Sequence, residues 1–145
     1  NKKDYYFVGS SQGGMQACNM AAHFDRTTAI ILNVPWLSDI DGHELCGRRE
    51  NSMPKGVGVT YFDAAVAAQY LQCPAYIISG LGDATCNAST QMALFNAIKS
   101  PKYLEFYQNK VHSFTIPWDN CKYTLGDLSL SEKYKEHTIM YHEFD

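Results

Sequence analysis

The pentapeptide Gly9-Ser10-Ser11-Gln12-Gly13 constrains this chain more than any other stretch. It follows a short run of aromatic and β-branched residues, Tyr5-Tyr6-Phe7-Val8, of the kind that forms a strand. It leads into Gly13 to Phe24, which has no proline and carries Met15, Cys18, Met20 and Ala21 near helical apolar spacing. A strand that becomes a helix within so few residues must turn sharply. The G-x-S-x-G pattern is the signature of such a turn, with the serine hydroxyl at its apex. Ser11 is then forced into a strained backbone conformation. Gly9 and Gly13, two residues to either side, are expected where any side chain would collide across the turn. The Gln12 amide opens the helix and points where an oxyanion would form, at the positive end of the helix dipole. An ordinary strand–helix turn also favours small residues. The rest of the chain must therefore supply an acid and a histidine at matching places.

The pattern beyond the turn alternates. Thr28 to Val34 is a nearly continuous apolar run ended by Pro35, as in a parallel strand buried on both faces. From Trp36 to Thr60 the periodicity is lost over a stretch long enough to suggest a functional loop or cap. Tyr61 to Leu71 reads as a helix with Asp63 as N-cap. Pro74 to Ser79 is a third strand, Ser89 to Ile98 a helix and Lys102 to Tyr107 a fourth strand. Leu128 to Glu143 reads as a final helix. Strands alternating with helices imply a layered α/β fold with a mostly parallel sheet. Sites in such sheets form at the carboxyl ends of the strands.

Three polar residues fall at those ends: Ser11 after the first strand, Asp83 after the third and His112 after the fourth. A serine needs a base within hydrogen-bond reach, and the base needs an orienting partner. The order Ser, Asp, His is that of an α/β-hydrolase triad. Taken singly, Asp83 in Gly80-Leu81-Gly82-Asp83 is a natural turn residue and His112 an ordinary loop histidine. His23 falls in the first helix, and His137 and His142 in the predicted last one. His43, in the long loop, is the serious rival to His112. The histidines and carboxylates lack H-x-x-x-H or comparable spacing, so neither a metal site nor a cofactor is expected.

The 145 residues suffice for one domain with a real core, and the net charge of -3 gives no case for nucleic acid or a membrane surface. No apolar run approaches the ~20 residues that span a bilayer. The five cysteines contain no C-x-x-C pair. Cys18 and Cys73 read as small buried apolar residues. A disulfide from Cys86 to Cys46 or Cys121 stays open. Cysteine usage does not decide the compartment.

Several motifs together resemble the acetyl xylan esterase family that also contains cephalosporin C deacetylases. Gly9-Ser10-Ser11-Gln12-Gly13-Gly14 resembles its G-x-S-Q-G-G elbow. Tyr61-Phe62-Asp63 followed by Cys73-Pro74 is similar to its Y-F-D … C-P stretch. Gly82-Asp83-Ala84-Thr85-Cys86 is similar to its acid segment, with Asn87 standing where the family usually has proline. His112 resembles its triad histidine, and Pro35-Trp36 to Gly47-Arg48 the substrate-side loop of its longer members. The resemblance implies a partial α/β-hydrolase fold, the C-terminal half of a mostly parallel sheet flanked by helices, with residues 1–145 as a single domain lacking the upstream strands. It implies Ser11, Asp83 and His112 as the triad, Gln12 as an oxyanion donor, and O-acetyl groups of xylan or oligosaccharides as substrate. It also implies a second oxyanion donor from an upstream loop. A prolyl-oligopeptidase-type peptidase shares the fold and triad order, and a non-catalytic binding module would keep the fold alone.

Trp36, His43 and Arg48 are candidate sugar contacts, although aromatic and charged residues also mark oligomer interfaces. With Tyr5 to Val8 at the limit of the sheet, an apolar strand edge is left open as a template for pairing. That edge is expected to be covered by a second chain, giving a homo-oligomer, by a displaced terminal segment or by further residues of the protein.

Overall fold

The computed structural model describes residues 3–45, 56–112 and 138–142. Five strands form one sheet in the order β1-β2-β3-β4-β5, and every neighbouring pair is parallel. They are β1 (Tyr5–Ser10), β2 (Thr27–Asn33), β3 (Ala75–Gly80), β4 (Lys102–Tyr107) and β5 (Thr138–His142). The helices are α1 (Gln12–His23), α2 (Ile40–Leu45), α3 (Ala64–Ala68) and α4 (Ala88–Ala97), with a 3-10 turn at Val59–Phe62. Among the described residues no helix is long and apolar enough to cross a membrane.

The central strands behave as their composition dictates. Ile30, Leu32, Ile77 and Leu104 are buried on the face covered by α1, α3 and α4. All six residues of β3 and all six of β4 are buried. β1 differs: it pairs with β2 alone, none of its residues is fully buried, and Val8 is 47% exposed. Among the described residues nothing pairs with its outer side.

Three expectations need correction. Residues 138–142 form a strand rather than the end of a helix, in register with β4 from Tyr103 opposite Thr138 to Tyr107 opposite His142. Thr138-Ile139-Met140-Tyr141 is a β-branched and aromatic run, and the open edge of β4 supplies hydrogen bonds that a helix would supply for itself. His142 thus ends a strand, while 128–137 lie outside the described residues. The long loop also contains α2, too short a helix to leave a periodic signature. Finally, a Cβ at Gly13 would meet nothing within 4 Å, because Gly13 already lies inside α1 with its missing side chain facing open space.

Candidate active site

The turn after β1 is the strained elbow that its sequence demands. Ser11 has φ 53 and ψ -119, a conformation that L-residues rarely adopt. The close approach it requires is at Gly9, where a Cβ would overlap the carbonyl of Gly13. The strain is held by backbone hydrogen bonds. Ser11 N–H donates to the Asn33 carbonyl at 2.9 Å, and the Ser11 carbonyl accepts from Gly14, Met15 and Trp36 at 3.0, 3.2 and 2.9 Å. Gln12 is the first residue of α1, so its N–H has no acceptor within the helix and remains available beside Ser11.

The loop after β2 buttresses this elbow and is strained itself: Val34, Leu37 and Asp39 have φ of 41, 57 and 51. Such conformations cost of order 1–3 kcal/mol each and persist only where their surroundings fix them. Here Val34 N–H donates to Ile78 O at 2.7 Å, and fully buried Gln91 of α4 donates from Nε2 to Pro35 O at 2.9 Å. The Asp63 carboxylate accepts from the N–H groups of Asp39, Ile40 and Ala65 at 2.9, 2.9 and 2.8 Å. Asp63 is therefore the N-cap its sequence position predicts, and it also clamps the loop. Gln91 was not singled out by sequence reasoning. Its signal is a polar residue on the same helical stripe as buried Leu94, Phe95 and Ile98.

The acid and the histidine come from the loops after β3 and β4, which are fastened to each other. Leu81 N–H donates to Tyr107 O and Gly82 N–H to Lys110 O, both at 2.9 Å. A Cβ at Gly80 would overlap the Lys110 carbonyl, so glycine permits the two loops to touch. Asp83 is completely buried, and its Oδ1 accepts from the Thr85 and Cys86 amides at 2.8 Å each. Its Oδ2 lies 2.9 Å from His112 Nδ1, and His112 Nε2 lies 2.8 Å from Ser11 Oγ. A carboxylate only accepts, so Nδ1 carries the ring proton and donates to it. Nε2 of the neutral ring is then free to accept from the Ser11 hydroxyl. Three residues spread over 101 positions thus meet in one hydrogen-bonded line. The His112 side chain keeps 30% of its surface exposed, while Asp83 has none.

Trp36 is partly buried and packs against the core, with its amide on the Ser11 carbonyl. His43 lies in α2, and its side chain is outside the described residues, as is Arg48. His23 is the last residue of α1. Cys18, Cys73 and Cys86 are free and buried. Burial pushes the Cys18 thiol up to about 12 and the Cys73 thiol to about 11. Burial first, and the Asp83 charge second, push the Cys86 thiol up further. Among the described residues, the only group of His, Cys, Asp and Glu compact enough to hold a metal ion is Asp83, Cys86 and His112. An open hollow of about 750 Å³ flanked by Tyr5, Asp25 and Arg26 lies at the opposite end of β1 from Ser11.

Residues 45–125 match the model of the family described as acetyl xylan esterase (AXE1), a stretch containing Asp83 and His112. The chain belongs to the acetyl xylan esterase family. The acetyl esterase Axe7A of Xylanibacter ruminicola is 32% identical over 110 residues, covering 69% of this chain and 25% of that protein. Among solved structures, acetyl xylan esterase 1 from Thermoanaerobacterium sp. JW/SL YS485 superposes with a TM-score of 0.68 at 22% identity, over 82% of this chain and 43% of its own. The acetyl xylan esterase from Paenibacillus sp. R4 gives 0.65 at 21% identity, over 77% and 41%. The α/β-hydrolase fold is thereby shown. The chain spans a quarter of its curated acetyl esterase relative and about two fifths of these two structures. Ser11 lies outside the stretch that matches the family model, so its assignment stands on the elbow geometry.

Proposed function

We propose that this chain carries the catalytic groups of a serine carboxylic ester hydrolase that removes O-acetyl groups from xylan or acetylated oligosaccharides through an acetyl-enzyme. The observation that carries the reading is the line Ser11 Oγ to His112 Nε2 to Asp83 Oδ2, at 2.8 and 2.9 Å, with Ser11 on a strained elbow. Membership of the acetyl xylan esterase family supports the ester class over the peptidase and the binding module.

In this mechanism Ser11 Oγ attacks the acetyl carbonyl while His112 Nε2 takes its proton. Asp83 holds the ring with Nδ1–H toward itself and stabilises the imidazolium that forms. The proton then passes to the sugar hydroxyl as it leaves. Water, deprotonated by the same nitrogen, releases acetate and restores Ser11. The Gln12 N–H stabilises the oxyanion, and a second donor from elsewhere in the protein completes the hole. One missing donor typically costs ~10²–10³ in rate. Trp36, His43 and Arg48 are proposed as contacts to the sugar. The open edge of β1 is assigned to strand pairing, with another part of the protein or a second copy, and its occupant shows as the oligomeric state in light scattering.

The test compares wild type with Ser11→Ala on p-nitrophenyl acetate and on acetylated xylo-oligosaccharide, reading acetate. Serine-dependent release from both supports the proposal. Serine-dependent turnover of the activated ester alone keeps the hydrolase and removes the carbohydrate substrate. A folded full-length protein inactive on both overturns the proposal in favour of a binding module.

A further inference from the structure

Cys86 has no part in the proposed reaction, yet its sulfur sits against the acid end of the triad. One ligand atom each from Asp83, Cys86 and His112 lies within 4.8 Å of the others. The group mixes a carboxylate, a thiol and an imidazole. That set suits thiophilic cations and is poorly matched to magnesium or calcium, which take oxygen ligands. Ligand atoms around a tetrahedral zinc lie roughly 3.3–3.7 Å apart, given bonds of about 2.0–2.3 Å. Asp83 Oδ2 and His112 Nδ1 are already 2.9 Å apart, so a cation must part them slightly and draw the sulfur in by at most about an ångström. The carboxylate is pinned by two amides through Oδ1, and its Oδ2 faces His112 Nδ1. Asp83 and Cys86 are buried, and His112 is partly exposed, so a cation reaches the group from the His112 side.

We propose that Asp83, Cys86 and His112 form a binding site for a thiophilic divalent cation such as Zn²⁺ or Cd²⁺, which switches the triad off when it binds. The cation takes the place of the proton between His112 Nδ1 and Asp83. The ring then carries its proton on Nε2, which can no longer accept from Ser11. The Nδ1 proton lost is matched by the Nε2 proton gained, and the Cys86 thiol proton leaves to water. One proton is thus released per cation, and the 2+ charge meets one carboxylate and one thiolate. The inhibitory consequence rests on the esterase reading; the binding does not.

Two readouts separate the two claims. Cd²⁺ added to the metal-free protein produces a thiolate-to-metal charge-transfer band in the ultraviolet. Cys86→Ala removes the part of it owed to this site, His112→Gln weakens it, and Ser11→Ala retains it. On p-nitrophenyl acetate, Zn²⁺ inhibits wild type, a chelator restores the rate, and Mg²⁺ has no effect. Relative to its own metal-free rate, Cys86→Ala needs about tenfold more Zn²⁺ or beyond, at least the loss that follows from disturbing a metal's surroundings. A Cd²⁺ band unchanged by both Cys86→Ala and His112→Gln overturns the site, whether or not the protein is an esterase. Zinc inhibition identical in wild type and Cys86→Ala overturns the switch. His112→Gln keeps the binding arm decisive if Cys86→Ala does not fold.

Discussion

Among the described residues, Ser11 hangs from a strand with one partner, whereas Asp83 and His112 follow strands with a partner on each side. β3 and β4 are buried throughout, and the loops that follow them are tied to each other at Leu81, Gly82, Tyr107 and Lys110. β1 is half exposed, and the elbow depends on β2 and its strained loop for support. One site therefore uses two kinds of precision. Asp83 and His112 are placed by loops tied to each other at the ends of buried strands. Ser11 is placed by backbone geometry, in which Gly9, the 34–39 loop, Gln91 and Asp63 must agree.

The largest expected effect breaks the acid–base side. Asp83→Asn keeps the shape but offers an amide where His112 needs an acceptor, favouring the wrong ring tautomer. The rate on p-nitrophenyl acetate is expected to fall by about 10⁴-fold. Thermal unfolding should move far less than the rate; a fall of tenfold or under would show that His112 needs no acid.

Next come the two glycines either side of Ser11, which the sequence treats alike and the structure does not. Gly9→Ala places a methyl on the Gly13 carbonyl and should cost about 1–3 kcal/mol or more in denaturant unfolding. Gly13→Ala meets nothing and sits in a helix, so it should be neutral or stabilise by about 0.5–1 kcal/mol. Equal destabilisation by both would mean that the elbow is not built as described.

Gln91→Ala tests the buttress. It leaves the Pro35 carbonyl without its donor and removes buried packing, at an expected cost of about 1–3 kcal/mol. If the loop positions Ser11 through Trp36, kcat on p-nitrophenyl acetate falls while KM holds. Lost stability with kcat intact would confine Gln91 to structure.

The smallest effect concerns the buried thiols. Their values in the folded chain lie above the ordinary 9.0, at about 12 for Cys18 and about 11 for Cys73. The folded state therefore holds these protons more tightly than the unfolded state. The stability they contribute is intact below about pH 9 and is lost as pH rises from there through 11 and 12. Unfolding midpoints should decline across that window, less steeply in Cys18→Ala than in wild type when each is referred to its own value at pH 7.

Much of this was legible in the sequence because it is local. The elbow announces itself in five residues, Lys102 to Tyr107 alternates with helix in the expected rhythm, and Asp83 and His112 fall just after strands. Asp63 was recognisable as an N-cap from its place before Ala64. What stayed hidden is relational. Residues 138–142 become a strand because β4 offers an open edge, which no local pattern records. The Gly9–Gly13 asymmetry depends on which residue already lies inside the helix. Gln91 and the Asp63 clamp act across 56 and 24 positions of chain on backbone atoms, which leave no mark on residue type at the receiving end.

The central claim is that Ser11 is a nucleophile made reactive by His112. Labelling with a fluorophosphonate, located by peptide mass spectrometry in wild type and in His112→Gln, tests it most directly. The account predicts one adduct on Ser11 in wild type and its loss in folded His112→Gln. A folded wild type that stays unlabelled at Ser11, or labels equally without His112, would contradict it.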